Sequence, residues 1–159
     1  MLNEDKFPYG LTGEGWEVAI STPSAFTGAA NARGDKDGTS ATKKLFTVTG
    51  DVLVRIFGVC TETLVGAGTL EVGVAGNTAA LIAQLADATI LATNEIWNDA
   101  TPTEVGAGLL SNITGPHIIV NGLDINETVA SVDITDGQIY YICFWRPLSA
   151  ISKVEGLSE

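Results

Sequence analysis

At 159 residues, with 45% hydrophobic side chains and a mean hydropathy of +0.26, the chain is long enough for one well-filled domain and too apolar to be disordered. Its net charge of −11 argues against free DNA or RNA and against an anionic membrane surface as partners, because both need clustered Lys and Arg. The opening Met1-Leu2-Asn3-Glu4-Asp5 is acidic where a secretory signal is basic, and no apolar run reaches the roughly 18–20 residues of a membrane span.

Residues 1–44 carry a net charge of −1 and are rich in Gly, Ser, Thr, Pro and Asn, with Trp16-Glu17-Val18-Ala19-Ile20 as their one strand-like patch. They read as an extended N-terminal arm, mobile in the free protein and removable without unfolding the rest. Residues 45–159 carry −10 and hold the repeated apolar runs of a compact domain.

Within that domain the apolar positions recur with period 2. Val52, Val54 and Ile56 share one face, as do Leu70, Val72 and Val74, then Ile118 and Val120, then Ala130, Val132 and Ile134. Gly66-Ala67-Gly68, Gly115-Pro116, Asn121-Gly122 and Asp136-Gly137 separate these runs with turn chemistry. The expected fold is all-β, an antiparallel sandwich or jelly-roll-like barrel. Residues 78–87, Ala- and Leu-rich behind the capping-type Asn77, read either as a short helix or as an apolar strand plus loop. In Ile139–Arg146 both alternating rows are apolar and aromatic, so both sides need a cover. We expect Tyr140, Ile142, Phe144 and Arg146, or the opposite row Ile139, Tyr141, Cys143 and Trp145, to meet another copy of the chain, with residues 78–92 as the competing cover.

No motif announces a reaction. Cys60 and Cys143 sit in strand-like runs and read as buried thiols; with one histidine they supply too few ligands for zinc. Arg33-Gly34-Asp35 matches an integrin-binding tripeptide but reads as a solvated turn. Asp35–Gly38 and Asp133–Gly137 lack the oxygen run of a calcium loop and read as Asp-Gly turns. Gly73–Thr78 lacks the lysine of a phosphate loop and reads as a strand-to-helix turn. His117 would have to serve any Ser-His-Asp site, yet no Gly-x-Ser-x-Gly elbow exists. Asn112-Ile-Thr114 and Asn126-Glu-Thr128 match glycosylation sequons without a secretory context. No catalytic residue, cofactor or metal site is assigned.

Thr49-Gly-Asp-Val-Leu-Val-Arg-Ile56, Gly68–Thr78, Glu95-Ile-Trp-Asn-Asp-Ala100 and Phe144-Trp-Arg-Pro-Leu-Ser149 resemble small structural proteins of tailed bacteriophages. The resemblance covers residues 45–150. It implies a non-enzymatic capsid decoration (cement) protein, a homotrimer made in the host bacterial cytoplasm and bound through the major capsid protein to the outside of the phage head. The alternatives are a tail or neck structural protein, or a carbohydrate- or receptor-binding β module using Trp16 and Trp97 to stack on sugars.

Overall fold

The computed structural model describes residues 15–104 and 115–157. Twelve strands among them are β1 (Glu17–Ile20), β2 (Ser24–Ala25), β3 (Thr42–Thr49), β4 (Val52–Val65), β5 (Thr69–Val74), β6 (Asn77–Leu85), β7 (Glu95–Trp97), β8 (Thr103–Glu104), β9 (His117–Ile119), β10 (Ile125–Ala130), β11 (Asp136–Pro147) and β12 (Lys153–Gly156). They form two antiparallel sheets. The seven-stranded sheet runs β1-β11-β4-β7-β8, with β2 also on β11 and β9 on β4; the five-stranded sheet runs β12-β3-β10-β5-β6. The fold is the all-β sandwich that the alternation predicts, and neither sheet closes into a barrel.

The core lies between the sheets and is built by alternation. The seven-stranded sheet turns Val52, Val54, Ile56 and Cys60 inward from β4, and Ile139, Tyr141, Cys143 and Trp145 from β11. The five-stranded sheet answers with Phe46, Val48, Leu70, Val72, Ile125 and Val129. The long β4·β11 pairing, from Val52↔Pro147 to Val65↔Asp136, is the spine of the molecule.

Several elements differ from the sequence reading. Residues 77–85 form strand β6, an edge of the five-stranded sheet, so the helix is absent; Ala75-Gly76 makes a tight hairpin with β5, Gly76 taking φ +84. Val72 and the β5 register recruit Ile82 and Leu85 to the core, and that burial overrides the local helical preference of Ala and Leu. The segment expected as Ala130-Val132-Ile134 alternation ends as a strand at Ala130, and Ile125, Glu127 and Val129 face inward instead.

Residues 17–44, expected to belong to a separable arm, are part of the sandwich. β1 pairs with β11 from Glu17↔Trp145 to Ile20↔Ile142, Phe26 is 1% exposed, and Arg33 is buried. Residues 1–14 of that arm lie outside the described residues.

Arg33 explains why the loop after β2 folds inward. Its Nε and Nη2 donate to Glu127 Oε1 and Oε2, its Nη1 donates to the Ile139 carbonyl, and its guanidinium lies 4.1 Å from the Phe26 ring centroid. Tyr141, from the opposite sheet, donates its hydroxyl to Glu127 as well. The carboxylate thus ties both sheets and the loop together. Gly34 crosses against Ile134 at φ +96, where a Cβ would sit 2.0 Å from the Ile134 carbonyl oxygen. Asp35 accepts from the Asn31 and Asp37 amides. The tripeptide Arg33-Gly34-Asp35 is therefore a packed corner and not a solvated turn.

Candidate assembly face

Because side chains alternate across a strand, burying Ile139, Tyr141, Cys143 and Trp145 sends Tyr140, Ile142, Phe144 and Arg146 to the outer face of the seven-stranded sheet. All four are half-buried there. The pairing registers align them in cross-strand rows. Arg146 lies opposite Leu53, which lies opposite Ile118; Val18 opposite Phe144 opposite Arg55; Ile20 opposite Ile142 opposite Phe57; Tyr140 opposite Val59 opposite Ile96. Ten of these twelve residues are apolar or aromatic, two are arginines, and none is a carboxylate. Phe57 and Phe144 stack at 6.2 Å between centroids.

The patch is open to solvent where it is not covered by its own neighbours. Val18 is 52% exposed, Ile20 56% and Ile118 66%. The other sheet behaves differently: its outer face carries Thr47, Asn126, Thr128, Glu71, Lys153 and Glu155. An antiparallel sheet with one wet side alternates apolar-in and polar-out, as the five-stranded sheet does. The seven-stranded sheet is apolar on both sides. Strand β6, which holds residues 78–85 of the competing cover, stands in the other sheet and does not lie on this face.

Arg146 and Arg55 converge on Trp16, their guanidinium carbons 5.9 and 5.6 Å from its ring. Among the described residues, neither arginine makes a salt bridge or hydrogen bond. The ion pairs among the described residues are Arg33–Glu127, Lys36–Asp37, Lys44–Asp124 and Lys153–Glu155. Arg55 Nε is moreover buried with no acceptor.

Trp97 is fully buried against Tyr141 at 6.1 Å and offers no stacking surface to a sugar. His117 lies in β9 opposite Val54, and its Nε2 is buried with no hydrogen-bond partner. Cys60 and Cys143 are free and buried, as expected, and burial pushes their thiols up to about 11 and about 12. Burial first, and the Glu127 carboxylate second, push the Tyr141 hydroxyl well above its usual range. For Arg33 burial is the largest single influence and opposes the charge, but the charge and hydrogen bonds of Glu127, joined by Tyr141, together outweigh it and raise the guanidinium above its ordinary range. A groove of about 580 Å³ runs past Ser21, Thr27, Arg33, Lys43, Lys44 and Leu157. Its cations are occupied within the chain, Lys43 on the Asn31 carbonyl and Lys44 on Asp124. Among the described residues no three His, Cys, Asp or Glu side chains are placed to hold a metal ion, and no helix is long and apolar enough to cross a membrane.

The two apolar rows of β11 are visible in the sequence, but which of them faces outward is decided by the burial of Ile139, Tyr141, Cys143 and Trp145. The sequence does not show the participation of Val18, Ile20, Phe57 and Ile118, since each belongs to a strand that looks half-apolar alone. Only the register shows that their outward rows coincide. No family model, curated protein or solved structure matches the chain.

Proposed function

We propose that this protein is a structural component of a tailed-phage virion, a decoration protein that self-associates and binds the major capsid protein on the outside of the head. The observation that carries the reading is the apolar outer face of the seven-stranded sheet. Such a face costs free energy in water, at about 25 cal/mol per Å² of apolar surface, and is retained where a partner covers it. Aromatic side chains and arginine, which recur at the centres of protein interfaces, are what this face presents. The remaining surface, strongly acidic, keeps assembled particles apart in solution. The virion setting rests on the resemblance of those short stretches to phage structural proteins, and a trimer is the assembly the reading favours.

Gold-labelled antibody against the chain, applied to intact particles of the encoding phage, tests the location. Label distributed over the head is expected. Label confined to the tail or neck, or none on purified particles, would overturn the decoration role. Specific binding of soluble glycans by the isolated protein would favour the carbohydrate-binding module instead.

A further inference from the structure

We propose that Arg55, Arg146 and Trp16 form a carboxylate clamp that receives an Asp or Glu side chain from a second copy of this chain, so that the self-contact is head-to-tail. The proposal rests on the self-association argued above and adds its chemistry and its polarity.

Three observations converge on it. First, the arginines are neighbours by construction. Arg146 pairs with Leu53 and Phe144 with Arg55, which sets the two arginines diagonally across β4 and β11 on one face. Trp16, one residue before the Glu17↔Trp145 pair, extends β1 alongside them. The indole holds both guanidiniums by cation–π contact, and among the described residues no acceptor occupies either one.

Second, among the described residues neither cation has a counter-charge. In a chain with 19 carboxylates and eight basic residues, an unpaired arginine needs a reason, and here two share one ring. The buried, acceptorless Nε of Arg55 marks the site as already partly dehydrated. Guanidinium is the group whose planar fork matches a carboxylate with two parallel hydrogen bonds.

Third, the distribution of charge decides the occupant and the direction. The two arginines supply +2 of a net −11, so the rest of the molecule carries −13. In a two-fold contact of this face with the same face of another copy, no row offers the guanidiniums a carboxylate, and a contact centred on Arg55 and Arg146 would crowd four guanidiniums together. Laying it on the acidic remainder of the next copy pairs opposite charges instead. That contact is heterologous, and repeated around an axis it closes into a ring. A carboxylate brought by the next copy therefore offsets the repulsion between acidic subunits at the point where they touch.

The test is the self-association constant of the full chain by sedimentation equilibrium, compared with Arg55→Gln/Arg146→Gln. The head-to-tail clamp predicts association weakened by about tenfold or more, because each contact loses its charge-assisted hydrogen bonds. A face-to-face contact predicts the opposite: removing four crowded cations leaves association unchanged or tightens it, and either result overturns the clamp while the self-association reading stands. A wild-type chain that stays monomeric overturns both. Should the Gln pair lower the melting temperature, Arg55→Lys/Arg146→Lys gives a second reading. It keeps both charges but loses the fork, so the clamp again predicts weaker association, and unchanged association counts against it.

Discussion

Replacing Arg33 by Met is expected to be the most damaging substitution available at a polar side chain. Arg33 and Glu127 are 8% and 1% exposed, and Glu127 accepts from Arg33 twice and from the Tyr141 hydroxyl once. Methionine keeps much of the apolar stem that packs near Phe26 but withdraws the charge. A carboxylate is then left buried with one neutral donor, and the Ile139 carbonyl loses its partner. Breaking a buried pair from one side costs about 3–5 kcal/mol, most of it the desolvation of the charge left behind. With an m-value of about 2 kcal/mol/M in urea, the midpoint falls by about 1.5–2.5 M. The companion variant Arg33→Met/Glu127→Gln removes both charges and is expected to recover much of the loss. Equilibrium urea unfolding followed by tryptophan fluorescence measures both. A single variant within about 1 kcal/mol of wild type, or a double variant no better than the single, would refute the buried-charge account.

Gly34→Ala places a Cβ against the Ile134 carbonyl at a positive φ, and a loss of about 2–4 kcal/mol in urea unfolding is expected. An unchanged midpoint would mean that the corner relaxes freely. Deleting residues 2–40 removes β1, Phe26 and Arg33, so the remainder is expected to lose its cooperative transition by near-UV circular dichroism; a retained sharp transition would restore the idea of a separable arm. Stability is expected to fall as pH rises. The Cys60 and Cys143 thiols ionise near 9 in the unfolded chain but are held protonated to about 11 and about 12 in the fold, so the unfolded state releases protons first. The urea midpoint therefore drops as pH rises from about 9 towards 11–12, and Cys60→Ala/Cys143→Ala flattens that slope; an equal slope in both proteins would contradict the assignment.

Much of the fold was legible in the sequence because period-2 alternation and Gly-containing turns act locally. Val52, Val54, Ile56, Leu70 and Val72 all point where their pattern sends them. Residues 77–85 were ambiguous because Ala, Leu and Ile fit a helix or an edge strand, and the decision belongs to β5, which the segment alone does not reveal. Glu127 offered a signal that was available: a carboxylate alternating with Ile125 and Val129 occupies an inward position and must find a buried partner. Its partner lies 94 residues away in a tripeptide that looks like a surface turn, so no local rule links them. The same holds for the assembly face. The two apolar rows of β11 were visible in one strand, whereas Val18, Phe57 and Ile118 join the outward one only through the registers of β1, β4 and β9.

Whether the outer face of the seven-stranded sheet is an interface between copies is tested most directly by sedimentation velocity of the wild-type chain beside Phe144→Asp. The expected wild-type species is a trimer of about 50 kDa, three times the 16.5 kDa chain, and the variant is expected to sediment as a folded monomer with wild-type far-UV circular dichroism. A wild-type chain that remains at 16.5 kDa at high concentration, or a Phe144→Asp variant that assembles as wild type does, would contradict such an interface.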